Sequence, residues 1–282
     1  MKMQLKFFSS KNSNFNSNEE KLIKRSSHRF LEISKNDEWK SAILPNWLDN
    51  VSYWLDKENK NDLPKGYYYY ERGTIIRVDF GVNMGSEFCG LHFAIVLDKK
   101  DNNQKKTLTV VPLTSKNKGG RFSLGKEIFN QTTHILNQRT RELQEQTNIL
   151  FAKTKKLFLS GVNDVNKKNA LNIELDHCFD EGKYFRDDIE KLIYDGNYDT
   201  NKIKQLFQEA LTNKKEIENL NKVINVYSRY NKNTYVRLSD ITTISKLRIR
   251  KINKYDPSGK IKLTTQQMAA ISDKLMKLYI SK

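Results

Sequence analysis

His92 is the residue of this chain best suited to move a proton near neutral pH. It is the sole histidine between Tyr67 and Phe129, and imidazole titrates in that range without help from its surroundings. It opens an apolar run, His92-Phe-Ala-Ile-Val-Leu97, directly after a glycine-bearing loop from Gly81 to Gly90. A histidine there can exchange a proton, or it can be a structural residue satisfied by its neighbours. Aromatic side chains offer a second chemistry. Phe88 and the run Tyr67 to Tyr70 could stack on bases, although four consecutive tyrosines cannot share one face of a strand. Trp39, Trp47 and Trp54 could also stack, but their spacing, shared with Ile43 and Val51, fits an apolar docking face better. Cys89 and Cys178 lie in no paired ligand motif, so neither a zinc site nor a disulfide framework is expected. No cofactor or metal is expected.

Charge points to the partner. The chain carries a formal net charge of +17 over 282 residues, which raises the local concentration of polyanions and favours nucleic acid. A competing explanation is coding bias, because lysine and asparagine are both abundant and an AT-rich genome produces the same surface. No stretch approaches the apolar length needed to cross a bilayer. The start, MKMQLKFFSSKNSN, has no continuous apolar segment and does not read as a signal peptide. A cytoplasmic protein with no membrane partner is expected.

These residues need elements to hold them. Residues 1 to about 30 are rich in Lys, Asn and Ser, and a mobile tail is expected there. Trp39 to Leu55 repeats at helical spacing, with Pro45 dividing it into two short helices or bending one. Asp62-Leu-Pro-Lys-Gly66 reads as a linker. Thr74–Phe80, His92–Leu97 and Thr107–Thr114 are short β-rich runs separated by turn chemistry, the pattern of a small antiparallel barrel. Pro112 belongs near a strand end or an edge. From Gln131 to Tyr230 the pattern is helical: one helix carries Leu136, Leu143 and Phe158, another carries Ile203, Phe207, Leu220 and Tyr227. The two are expected to form an antiparallel pair, with mixed text between them broken at Gly161, Gly182 and Gly196. Thr234–Ser239 and Ile241–Ile244 return to strand, Leu247–Lys251 to a helical turn, and Thr264–Ile280 to an amphipathic helix N-capped by Thr264. The fold class is α+β. Its expected parts are an N-terminal tail and helical extension (1–66), a barrel with a C-terminal helix (67–129 with 232–282), and a helical insertion (130–231).

Several motifs occur in a shared order. Glu71-Arg-Gly-Thr-Ile-Ile-Arg-Val-Asp-Phe-Gly81 is followed by Gly85-Ser-Glu-Phe-Cys-Gly90, His92-Phe-Ala-Ile-Val-Leu97 and Thr109-Val-Val-Pro-Leu-Thr-Ser115. Tyr235-Val-Arg-Leu-Ser-Asp-Ile-Thr-Thr-Ile244 closes the series. This order resembles the core of the MazF/PemK toxins. The resemblance implies an SH3-like antiparallel β-barrel of the MazF/PemK/CcdB-like type, here split by the helical insertion. It further implies a homodimer that cuts single-stranded RNA without a metal, leaving a 2′,3′-cyclic phosphate and a free 5′-hydroxyl. A cognate antitoxin is the implied protein partner.

RNA self-cleavage needs a base for the 2′-OH, a donor for the leaving 5′-oxygen, and positive groups around the phosphorane. His92 stands where many relatives carry arginine, and it could act as base, acid or substrate clamp. Thr114 and Ser115 match the family's hydroxyl pair and could donate to a phosphate oxygen, or merely cap a strand end. Arg237 falls where some relatives have an arginine credited as general acid; its very high pKa favours a transition-state clamp. Ser239 stands where those relatives carry a carboxylate, with Asp240 one place on. Arg72 and Arg77 are weaker candidates for the phosphate path. Ser86 could touch substrate from the glycine-bearing loop, whereas Glu87 is expected to order that loop. The catalytic candidates are therefore His92, Thr114 and Arg237, and the substrate-binding candidates Ser115, Ser86, Arg72, Arg77 and Ser239.

A second function fits the same text: a binding module on the same barrel with weakened catalysis, acting as a nucleic-acid or protein adaptor. A DNA-directed poison on this fold is a third and less favoured option. The insertion could dimerise, hold the antitoxin, dock a ribosome or tRNA, or cover the groove.

Overall fold

The computed structural model describes residues 17–119, 121–183 and 200–280. The chain divides into two compact units, residues 1–67 with 79–91 and residues 68–78 with 92–282.

In the first unit, a helix replaces the expected mobile tail from Ser17 onward. Helix α1 (Ser17–Ser34) has Glu19 and Glu20 in its first turn and a Glu20–Lys24 ion pair at i,i+4, both favourable to a helix. It buries no residue, which is why low apolar content was a poor guide here. Helix α2 (Trp39–Asn59) runs through Pro45 as one element. Its Leu44 is buried while Trp39 is 56% exposed, so only part of the tryptophan stripe docks. The loop after Phe80 is closed by Phe80 N–H donating to Gly90 O (2.9 Å) and Gly90 N–H to Gly81 O (2.8 Å). Lys40 Nζ on α2 donates to Asn83 O and Gly85 O, both at 2.8 Å. Gly81 has φ +81°, and a Cβ there would sit 2.3 Å from Trp47 Nε1. Only glycine accepts both that backbone and that indole.

The second unit is built on a six-stranded antiparallel sheet in the order β1-β2-β3-β5-β4, with β6 also on β3. The strands are β1 (Ile75–Asp79), β2 (Leu91–Val96), β3 (Thr107–Thr114), β4 (Phe122–Gly125), β5 (Thr234–Val236) and β6 (Thr242–Ser245). One edge of β3 bonds β2; the other takes β6 along its first half and β5 along its second. Pro112 thus lies inside the central strand, away from its end. It is tolerated because Arg237 N–H donates to Pro112 O just where β5 has ended, so the donor that proline lacks has little ladder to serve. On the far side of β1, single bridges join Val78 to Ile249 and Thr74 to Lys262. These are isolated bridges, and the strands do not close as a continuous barrel.

Alternate residues of the sheet (Phe93, Ile95, Val111, Leu113 and Val236) point into one core. Met268 and Ile271 of helix α6 (Thr265–Tyr279) pack there, and so do Leu136, Leu220, Val223 and Tyr227 of helices α3 (Glu127–Leu159) and α5 (Thr200–Ser228). Each such large apolar side chain contributes about 1.5–3 kcal/mol by burial, so the helical interlude is part of the sheet's own core. The start of α3 meets the end of α5 in this core. The end of α3 meets the start of α5 in a second core, where Phe158, Leu175, Ile203 and Phe207 pack with helix α4 (Val165–Asp180). The pair is therefore antiparallel, as its periodicity predicts. Gly161 and Gly182 fall in the turns that flank α4, and Gly196 lies outside the described residues. Helix α6 begins with a capping box in which Thr264 and Gln267 bond each other's backbone N–H.

Candidate active site

Strand register places the site. Ala94 pairs with Pro112, and by alternation His92 shares the face of Ala94 and Thr114 that of Pro112. Thr114 pairs with Tyr235, and Tyr235 with Ser123. Residues directly opposed in antiparallel strands share a face, so His92, Thr114, Tyr235 and Ser123 form one polar row across β2, β3, β5 and β4. Their sequence neighbours Phe93, Leu113, Val236 and Leu124 fill the core on the opposite face. Two residues beyond Tyr235, Arg237 returns to the face of the row.

Arg237 is fixed on two sides. Its backbone N–H holds Pro112 O at 2.9 Å, and its Nε donates to the Asp240 carboxylate. Asp240 sits in the turn Leu238–Asp240 that β5 runs into, and both side chains are about three-quarters buried. The pair orients a guanidinium beside the row. Thr114 Oγ1 accepts Lys116 N–H at 3.2 Å, which turns the chain sharply out of β3; its hydroxyl proton can still be given to an anion. Ser115 is exposed at that turn, as is Ser239 in the turn after β5.

Beside Arg237 and Ser239 opens a cleft of about 500 Å³. Lys118 and Arg121 line it from the β3–β4 connection, and Lys274 and Lys277 from the last turns of α6. Arg121 is anchored by donating from Nη1 to Lys116 O at 2.7 Å. Cations thus dominate its wall, as a phosphate-binding surface requires. None of the residues that line the cleft comes from the described parts of α3, α4 or α5.

The remaining candidates fall elsewhere. Arg72 donates to Leu97 O and, at 3.0 Å, to Ser272 Oγ, tying the entry of β1 to α6. Arg77 turns inward: its Nε is buried without a hydrogen-bond partner among the described residues, and its charge acts on Tyr227. Ser86 is exposed in the glycine-bearing loop of the first unit. Among the described residues, no group of three His, Cys, Asp or Glu side chains could hold a metal ion.

The sequence had singled out neither Tyr235 nor Arg121 nor the two α6 lysines, and had noted Asp240 only as the carboxylate next to Ser239. Tyr235 had a legible signal, since it alternates with Arg237. Lys274 and Lys277 had a fainter one, lying three apart and exposed in the last turns of α6.

The hydroxyl-and-cation face on β2, β3 and β5 coincides with a family assignment. Residues 71–165 match the family model of PemK-like, MazF-like toxins of type II toxin-antitoxin systems. This segment belongs to the PemK-like, MazF-like toxin family. A comparison with curated proteins found no match. The toxin segment holds β1 to β4, His92, Thr114 and Ser115, and runs through α3 to the first residue of α4. Arg237, Asp240 and the α6 lysines lie beyond it, yet the fold brings them to the end of the same strands. No helix among the described residues is long and apolar enough to cross a membrane.

Proposed function

We propose that this chain is a toxin that cleaves single-stranded RNA on the face formed by β2, β3 and β5. The observation that carries this reading is the row His92–Thr114–Tyr235 with Arg237 beside it. The 2′-OH loses its proton, O2′ bonds to phosphorus, the P–O5′ bond breaks, and O5′ takes up a proton. The products are a 2′,3′-cyclic phosphate and a 5′-hydroxyl. His92 exchanges a proton, as base or acid; Thr114 donates to a non-bridging oxygen; Arg237, oriented by Asp240, neutralises charge that grows on the phosphorane. Tyr235 offers a ring on which a base can stack. Ser115 and Ser239 flank the path at the two turns. His92 fills one of the two proton-transfer roles and solvent water the other, and side chains meet the charge on the phosphorane, so the reaction as drawn needs no metal ion.

The wider reading belongs to the same proposal. The single bridges from β1 to Ile249 and Lys262 support an SH3-like barrel made of residues 67–129 and 232–282, with 130–231 as an insertion. Membership of a toxin-antitoxin family supports an antitoxin partner, a homodimer and a cytoplasmic site of action.

The test is kinetic. His92→Ala should lower single-turnover cleavage by about 10²–10⁴-fold while RNA affinity changes little. Cleavage at the wild-type rate would remove His92 from the mechanism. Retention of RNA with no cutting by the wild-type protein would favour a binding module on the same face.

A further inference from the structure

We propose that α6 is the second wall of the RNA groove, where Lys274 and Lys277, facing Lys118 and Arg121, hold a phosphate neighbouring the one on the strand row. The identity of the polyanion rests on the RNA-cleavage reading; the subsite itself rests on geometry and charge. Among the described residues, none of these four cations forms an ion pair, whereas Arg237 in the same cleft is matched by Asp240. Four like charges around about 500 Å³ repel one another across less than a Debye length. A polyanion relieves that repulsion and releases its own counterions on binding.

The lysines are carried on a fixed element. The capping box fixes the start of α6, Met268 and Ile271 anchor it in the core, and Tyr279 OH donates to Leu238 O at 3.2 Å beside the Arg237 turn. Lys274 and Lys277 stand one turn apart and are both exposed. Ammonium groups on an exposed helix face read phosphate and ignore the base. The subsite therefore adds affinity on every RNA sequence and leaves the choice of cleavage site to the strand row.

The experiment measures binding, so that it does not depend on catalysis. A labelled single-stranded RNA of about 12 nucleotides is titrated in EDTA at several salt concentrations. The full chain is compared with Lys274→Ala/Lys277→Ala, with Lys274→Arg/Lys277→Arg, and with Lys99→Ala/Lys100→Ala, an exposed pair on the β2–β3 turn. The alanine pair on α6 should weaken binding roughly tenfold, equally across RNA sequences. It should also reduce the salt slope by about 0.7, from one lost phosphate contact on a single strand. The arginine pair should keep the wild-type slope. An unchanged slope in the α6 alanine pair, an equal loss in the Lys99/Lys100 pair, or no RNA binding by the wild type would overturn the proposal. A reduced slope in a protein that never cuts would uphold the subsite and refute the nuclease; normal cutting with an unchanged slope would do the reverse.

Discussion

Tyr227 shows how far a single buried hydroxyl binds the helical part of this protein to its sheet. Only 1% exposed, it donates to Asp256 Oδ1 at 2.7 Å, and the same carboxylate accepts Ile252 N–H and Ser258 N–H. Burial first, then the Asp256 charge, pushes the phenol well above its ordinary range, while the Arg77 charge opposes the rise. The folded state therefore keeps the proton that the unfolded chain loses near pH 10. Its stabilisation is complete below that pH and is lost as pH climbs towards the folded value. Tyr227→Phe should cost about 1.5–3 kcal/mol at pH 7, the worth of a hydrogen bond to a charged group, and should flatten the loss of stability above pH 10. Denaturant melts at pH 7 and pH 10.5 check both; equal stability of the two proteins at pH 7 would show that the bond contributes nothing. None of this was legible in the sequence, because Tyr227 reads there as one more apolar position on a helix and nothing marks Asp256 as its partner. Arg237 was legible by its place in a motif. Its pairing with Asp240 was not, since the turn that brings the two together forms only after β5 ends.

At the scale of elements, the periodicity of α3, α5 and α6 and the alternation in β1, β2 and β3 predicted what formed. The role of the hairpin could not be predicted the same way. Insertion suggests a separable attachment, yet Leu136, Leu220 and Val223 share a core with Phe93, Leu113 and Val236. Hydrophobic periodicity names the buried side of a helix and leaves open what lies against it. Two substitutions separate the cores. Leu220→Ala should cost about 2–5 kcal/mol and melt strands and helices together. Phe207→Ala, in the second core, should cost about 3–5 kcal/mol yet leave the strand row intact and RNA binding unchanged. Hydrogen exchange of β2 and β3 amides distinguishes them. Protection of those strands that survives Leu220→Ala would contradict a shared core.

At the scale of the whole molecule, a net charge of +17 named a class of partner without saying where it binds. The fold gathers cations from two connections and one helix around the end of β5, the place proposed for that partner. Motif order carried the β-rich core and its hydroxyl pair from the sequence, while the α6 wall needed the tertiary arrangement, since it lies far from every motif. The function proposed is that this face cuts RNA without a metal ion. Its most direct test is incubation of the purified chain with a long single-stranded RNA in excess EDTA, followed by mapping of both new ends. Discrete cuts bearing 2′,3′-cyclic phosphates and 5′-hydroxyls are the expected result. RNA that stays intact, or cuts that leave 3′-hydroxyls and 5′-phosphates, would contradict it.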